Sequence, residues 1–76
     1  MEKEKVYREI EKLELPEDKL FVKTIYPSKE VLGTFIDFAK IKEVIILEGV
    51  DGIEVQVKIV DIVEIRAILT DINDER

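Results

Sequence analysis

The side chains that most often carry catalysis are nearly missing from this sequence. Its 76 residues include no cysteine and no histidine, and Ser28 is the single serine. A serine hydroxyl needs an adjacent base before it can attack a substrate, and thiolate or imidazole metal sites need the two missing residue types. Because Ser28 follows Pro27, we interpret it as a turn or helix-capping residue. The sequence therefore predicts a protein that is not an enzyme and uses no cofactor or metal.

Carboxylates are the remaining candidates for chemistry. Asp51 and Asp61 would be the choice for acid–base work, which needs two carboxyl groups facing one cleft. Their neighbours instead indicate a turn residue at Asp51 and a helix cap at Asp61. The acids of residues 71–76 have oxygens that suit a hard cation, but this segment lacks the glycine and ordered ligand series of a calcium loop. We therefore expect residues 71–76 to be a flexible acidic tail.

Aromatic side chains are concentrated in the middle of the chain, where basic residues outnumber acidic ones. Residues 21–40 contain three lysines against two acids, whereas residues 41–76 contain four basic residues against nine acids. Aromatic rings can stack on bases or contact other ligands. The net charge of −6 opposes binding to a phosphate backbone, so RNA is a disfavoured partner. The candidate ligand surface is the least acidic part of the chain, with Lys23, Tyr26, Lys29 and Lys40.

An N-terminal helix is predicted over residues 2–13. Its apolar side chains recur at helical spacing, namely Val6, Ile10 and Leu13 with Tyr7 beside them. Pro16 stops the helix soon afterwards. The apolar stripe is narrow, so the helix is expected to lie on another element. Tyr7 is then a candidate interface residue.

β-branched and aromatic residues predict five strands, at 20–26, 31–38, 43–50, 53–60 and 65–70. Residues 28–42 allow a second interpretation, because Ser28 could cap a helix with an apolar face. Against the helix, Gly33 lies inside it, and Thr34 and Phe38 form helices poorly. As a strand, the same segment has a bend or bulge at Gly33. The first interpretation predicts a mainly β fold, and the second predicts an α+β, ferredoxin-like fold.

The stretch EGVDGIEVQV, residues 48–57, predicts a β-hairpin. Asp51-Gly52 between β-rich runs is a strong hairpin signal, and it favours a two-residue turn. The predicted cross-strand pairs are Val50 with Ile53, Glu48 with Val55, Ile46 with Val57 and Val44 with Ile59. This register makes one apolar face, with Glu48 as its misfit, and leaves Ile45 and Leu47 on the outer face. Both are therefore candidate interface residues.

The order of a helix and five antiparallel strands resembles the small SH3-like and Sm-like barrels. Three stretches carry the resemblance: GTFID in the second strand, KEVIILEGVDGIEVQVKI as the next hairpin, and VDIVEI as the short turn into the closing strand. YolD-like proteins and the C-terminal domain of the ribosome maturation factor RimP are similar in outline. The resemblance implies a barrel over residues 20–70. The Sm-like members imply RNA binding by an oligomeric ring, although their uridine-binding signatures do not occur here.

Composition sets the remaining expectations. Charged residues make up 39% of the chain, as in many thermophilic proteins. The length indicates one domain over residues 1–76 with a small core. We find no apolar stretch after a basic start and no apolar run of about 20 residues, which predicts a cytoplasmic protein with no membrane contact. Apolar residues on both hairpin faces predict a non-enzymatic interaction module that associates with itself or with another protein.

Overall fold

A computed structural model describes residues 1–70, which form one α-helix and five β-strands. The elements are α1 (Lys3–Glu11), β1 (Lys19–Thr24), β2 (Lys29–Ala39), β3 (Val44–Glu48), β4 (Glu54–Lys58), a 3-10 turn (Ile59–Asp61) and β5 (Ile62–Ile68). The prediction of a mainly β fold with an N-terminal helix is thus confirmed. The predicted tail at residues 71–76 lies outside the described residues.

The strands form one antiparallel sheet in the order β4-β3-β2-β1-β5. The 11-residue strand β2 belongs to both halves of this sheet. Its first half, Lys29–Gly33, pairs with β1, and its second half, from Thr34 to Ala39, pairs with β3. The end strands β4 and β5 do not pair with each other, so the sheet is open.

One apolar cluster joins the two halves of the sheet. β1 contributes Leu20 and Val22, and β3 contributes Ile45 and Leu47, all fully buried. Burying an aliphatic side chain of this size stabilises the fold by about 1.5–3 kcal/mol. The remaining members come from every other element, namely Val6, Val31, Val57, Ile59, Ile62 and Ile65. The core therefore depends on β2 bending enough to bring the two halves face to face.

Helix α1 is fixed to both halves of the sheet. Val6 is buried in the core, and the ring of Tyr7 packs on Phe38 of β2 with 5.0 Å between centroids. On the other side, a carboxylate oxygen of Glu9 accepts a hydrogen bond of 2.9 Å from the amide of Ala67 in β5. The narrow apolar stripe of α1 thus packs against the sheet, as predicted.

The helix interpretation of residues 28–42 is wrong. This segment is β2, and Gly33 is part of its pairing with β1, opposite Leu20. A Cβ atom at Gly33 would lie 2.6 Å from the carbonyl oxygen of Glu48, so glycine permits a close approach of β2 and β3. The register irregularity of β2 falls instead between Phe35 and Asp37.

The 48–57 hairpin forms, but its predicted register is wrong by one residue. The loop runs from Gly49 to Ile53, closed by a hydrogen bond from the Gly49 amide to the Ile53 carbonyl. Gly52 has a φ of 81°, which glycine adopts without strain. The observed pairs are Val44 with Lys58, Ile45 with Val57, Ile46 with Gln56, Leu47 with Val55 and Glu48 with Glu54.

This shift reverses the two faces of β3, because side chains alternate along a strand. Ile45 and Leu47, predicted as outer interface residues, are 0% exposed and belong to the core. Their burial rules them out as a surface for a partner. Glu48, the misfit of the predicted register, instead points outward opposite Glu54.

Asp18 ties together two segments at one end of the sheet. Its carboxylate accepts hydrogen bonds from the amides of Glu14 and Leu15, at 2.8 and 2.9 Å, and from the amide of Thr70, at 2.7 Å. The bond from Thr70, followed by those from Glu14 and Leu15, lowers the pKa of Asp18 to about 2. These bonds hold the α1–β1 loop against the residues that follow β5. Nothing in the local sequence around Asp18 indicated this role.

We predict that Gly33→Ala destabilises the fold by roughly 1–3 kcal/mol, because its Cβ would displace backbone rather than a side chain. The matched control is Gly49→Ala, whose Cβ would lie 3.1 Å from the carboxylate of the exposed Asp51 side chain and at an ordinary contact distance of 3.7 Å from the Ile53 carbonyl oxygen. Urea unfolding followed by circular dichroism measures both changes. Equal losses in the two variants would show that β2 and β3 have room at Gly33.

A second prediction concerns the pH dependence of stability. Because the folded pKa of Asp18, about 2, lies below its ordinary value of 3.8, its contribution is full above about pH 4 and is lost as the pH falls through 2. Asp18→Asn should therefore lower the urea midpoint at pH 7, with the gap narrowing towards pH 2. Glu17→Gln, which changes the neighbouring exposed acid, is the control. A midpoint unchanged by Asp18→Asn at pH 7 would exclude the carboxylate as a structural tie.

Candidate functional site

The structure separates the predicted ligand surface into two places. Tyr26 and Lys29 lie at the β1–β2 turn, and Tyr26 is 85% exposed with a φ of 59°. Lys40 lies in the β2–β3 turn, at the far end of β2. The strand between these turns has 11 residues and a contour length of about 36 Å, and Lys29 and Lys40 line different pockets. The predicted residues therefore do not make one site.

Lys23 has an acidic residue opposite it on each neighbouring strand. It is placed opposite Glu30 of β2 on one side and opposite Glu64 of β5 on the other. Opposite charges on directly facing strand positions attract each other. The two acids lie near Lys23 and make the β1–β2 end of the molecule less basic than the sequence indicated, but within residues 1–70 Lys23 forms no ion pair and Glu64 pairs with Arg66 at 3.0 Å.

An apolar groove of about 630 Å³ lies at the β2–β3 end. Ile41 at its rim is 99% exposed, and Ile46 and Gln56 face each other across β3 and β4. Val44 is buried but does not belong to the core cluster of the described residues. The full lining is Phe38, Ala39, Lys40, Ile41, Lys42, Val44, Ile46 and Gln56.

Of this lining, the sequence predicted only Lys40 as a site residue, as part of one surface with Lys23, Tyr26 and Lys29. Residues 39–42 lie between two predicted strands, and an isoleucine between two lysines at a hairpin tip indicates an exposed apolar side chain flanked by charge. Ile46 was missed because the predicted register pointed it into the core. Of the other predicted residues, Tyr7 reaches this end of the molecule only through its contact with Phe38.

The rim of the groove is positively charged. Lys40 and Lys42 line it, and within residues 1–70 neither forms an ion pair. Glu43, the acid next to them, pairs with Lys3, and this hydrogen-bonded contact raises the pKa of Lys3. The charges of Lys40 and Lys42 are therefore available to a ligand.

Strand β4 is an edge strand whose outward backbone groups form no hydrogen bond within the described residues, and the β1–β2 turn shares a pocket of about 170 Å³ with Gln56 and Lys58. The bonds from Gly49 to Ile53 and from Ile59 to Glu43 bracket the β3–β4 ladder. Alternation between these bonds makes the pairs at Val55 and Val57 the hydrogen-bonded ones. The backbone groups of Glu54, Gln56 and Lys58 therefore face away from β3. Among the described residues, no side chain hydrogen-bonds to them.

The opposite edge, strand β5, is partly covered. Glu9 of α1 accepts the hydrogen bond of the Ala67 amide, and Asp18 accepts that of Thr70. The bond from Lys12, together with the amide of Ala67, lowers the pKa of Glu9. Capping of edge amides by charged side chains hinders the addition of another strand. The two edges of the sheet thus differ in their capacity to pair.

No chemistry-bearing cluster competes with these surfaces within residues 1–70. This part of the chain has no group of three or more acidic side chains placed to hold a metal ion. Of the described helices, none has the length and apolar character needed to cross a membrane. The acids of residues 71–76 lie outside the described part. Comparison of the chain with protein-family models, curated proteins and solved structures gave no significant match.

Proposed function

We propose that this protein is a non-enzymatic interaction module that associates with a second copy of itself through the edge of β4. The proposal requires an edge strand with available backbone groups, and β4 has them. It also requires that the strand be compatible with its own copy. The sequence of β4, EVQVK, meets this second requirement.

The charges of β4 are complementary about its centre, and this observation carries the proposal. In an antiparallel pair of β4 strands related by a two-fold axis at Gln56, Glu54 of each copy faces Lys58 of the other. Glu54, Gln56 and Lys58 are all exposed, and all three have outward backbone groups. The pairing would form a continuous ten-stranded sheet with two cross-strand ion pairs.

The observed topology also supports a more specific fold. A helix before β1, the strand order β4-β3-β2-β1-β5 and a 3-10 turn before β5 are compatible with an SH3-like or Sm-like barrel. On this proposal, the bend of β2 curls the sheet towards closure. The gap between β4 and β5 is what separates the described sheet from a complete barrel.

The same topology supports RNA binding by an oligomeric ring as a second candidate. In a ring, β4 of one copy would pair with a different element of the next copy. The acids facing Lys23 and the capped amides of β5 weigh against this arrangement. We therefore place self-association through two β4 strands first.

Light scattering coupled to size exclusion tests the proposal. The expected mass is twice the 8.8 kDa of one chain. Lys58→Glu places like charges opposite each other at both ends of the shared edge, as does Glu54→Lys. Each variant alone should weaken association by about tenfold or more, since two attractive contacts become repulsive.

A mixture of the two variants is the matched control. Lys58→Glu combined with Glu54→Lys restores opposite charges at both contacts, so the mixture should regain the doubled mass. A wild-type chain that stays a monomer at high concentration contradicts the proposal. A doubled mass that neither substitution changes would place the contact elsewhere, and a higher mass that rises further with RNA would favour the ring.

A further inference from the structure

The groove at the β2–β3 end offers a second binding surface, which shares only Gln56 with the proposed contact through β4. Its floor is aliphatic, from Ala39, Val44 and Ile46, while Ile41 forms an exposed wall. Ile41 adjoins the other apolar residues of the lining, and a contiguous exposed apolar patch is typical of an interaction site.

We propose that this groove binds an extended acidic peptide segment of another protein, one that carries a large aliphatic side chain between carboxylates. The aliphatic side chain would occupy the groove against Val44 and Ile46. The flanking carboxylates would meet Lys40 and Lys42, which lie on either side of Ile41. The inference goes beyond the proposed self-association, and apart from Gln56 it uses a different set of residues.

Charge complementarity selects the acidic partner. The lining contains two lysines and no acid, although the protein as a whole has a net charge of −6. The nearby acid Glu43 is held by Lys3. Asp37, the next acid along β2, directs one carboxylate oxygen to the amide of Phe38 at 2.8 Å. A partner with carboxylates at the Lys40–Lys42 rim therefore meets positive charge on an otherwise acidic molecule.

The apolar lining favours a peptide over a nucleic acid. Bases bind single-stranded sites by stacking on exposed aromatic rings. The one ring in the lining is Phe38, and it already packs against Tyr7 and the core. Aliphatic walls with few polar groups are suited instead to an apolar side chain. The volume of about 630 Å³ accommodates such a side chain with its neighbouring backbone.

Amide chemical shifts of the labelled protein, titrated with synthetic peptides, test this inference. The probe is acetylated Glu-Asp-Leu-Asp-Glu, and the comparison peptides replace leucine by serine or all acids by lysine. The leucine peptide should shift the signals of Ala39, Ile41, Val44 and Ile46. The serine and lysine peptides should bind about tenfold more weakly, since each lacks one of the two recognised features.

Matched variants separate the groove from general surface charge. Lys40→Glu/Lys42→Glu and Ile41→Ser should each weaken binding of the leucine peptide by about tenfold. The controls are Lys5→Glu/Lys29→Glu, which changes two exposed lysines elsewhere, and Val50→Ser, which changes an apolar side chain that is 96% exposed in another turn. Both controls should bind like the wild type.

Several results would overturn the inference. They are the absence of groove shifts at millimolar leucine peptide, equal binding of the serine peptide, and binding unaffected by Lys40→Glu/Lys42→Glu. Tighter binding of oligouridylate than of the leucine peptide, at the same residues, would assign the surface to RNA. Light scattering on the same samples separates this test from the test of self-association. A monomer that binds the leucine peptide would contradict the proposed self-association and leave the groove proposal standing.

Discussion

Strand β2 pairs with two different partners along its length, and the rest of the fold depends on this division. The first half is bonded to β1 and the second to β3, so the apolar faces of both halves can meet only if β2 bends between them. The missing Cβ of Gly33 lets the carbonyl of Glu48 approach within a distance that any other residue would obstruct. With that approach in place, Leu20 and Leu47 belong to one core, and α1 can contact Phe38 and Ala67 together.

Much of this fold could be predicted from composition and spacing. The helix, the five strands and the turn near Asp51-Gly52 follow from local preferences that the tertiary structure does not oppose. The hairpin register could not be obtained in the same way, because Val44 and Ile46 are as apolar as Ile45 and Leu47. The distinguishing feature was Glu48, which the predicted register placed opposite Val55. The observed register puts it opposite Glu54, an arrangement that costs charge repulsion but keeps both acids in water.

The candidate surfaces were harder to predict than the strands because they depend on which residues face each other. Lys23 belongs to the least acidic part of the sequence, yet Glu30 and Glu64 come from other strands to lie beside it. Lys40 and Lys42 belong to a connection with no sequence motif, and they keep their charges because Glu43 is bound to Lys3. The sequence gives the number of charged residues, while the strand register decides which of them lie next to an opposite charge.

The carboxylates of Glu9 and Asp18 do more than fasten the helix and its loop to the sheet. They also accept hydrogen bonds from the amides of Ala67 and Thr70, in β5 and just after it. A sheet that is extended by pairing at β4 is therefore blocked from further pairing at its β5 edge. Both groups have pKa values below their ordinary ones, which keeps that edge blocked under mild acidification. Strong acid would protonate both carboxylates and weaken their hold on these amides. A sheet that can pair at both of its edges can add further copies without limit and form fibres.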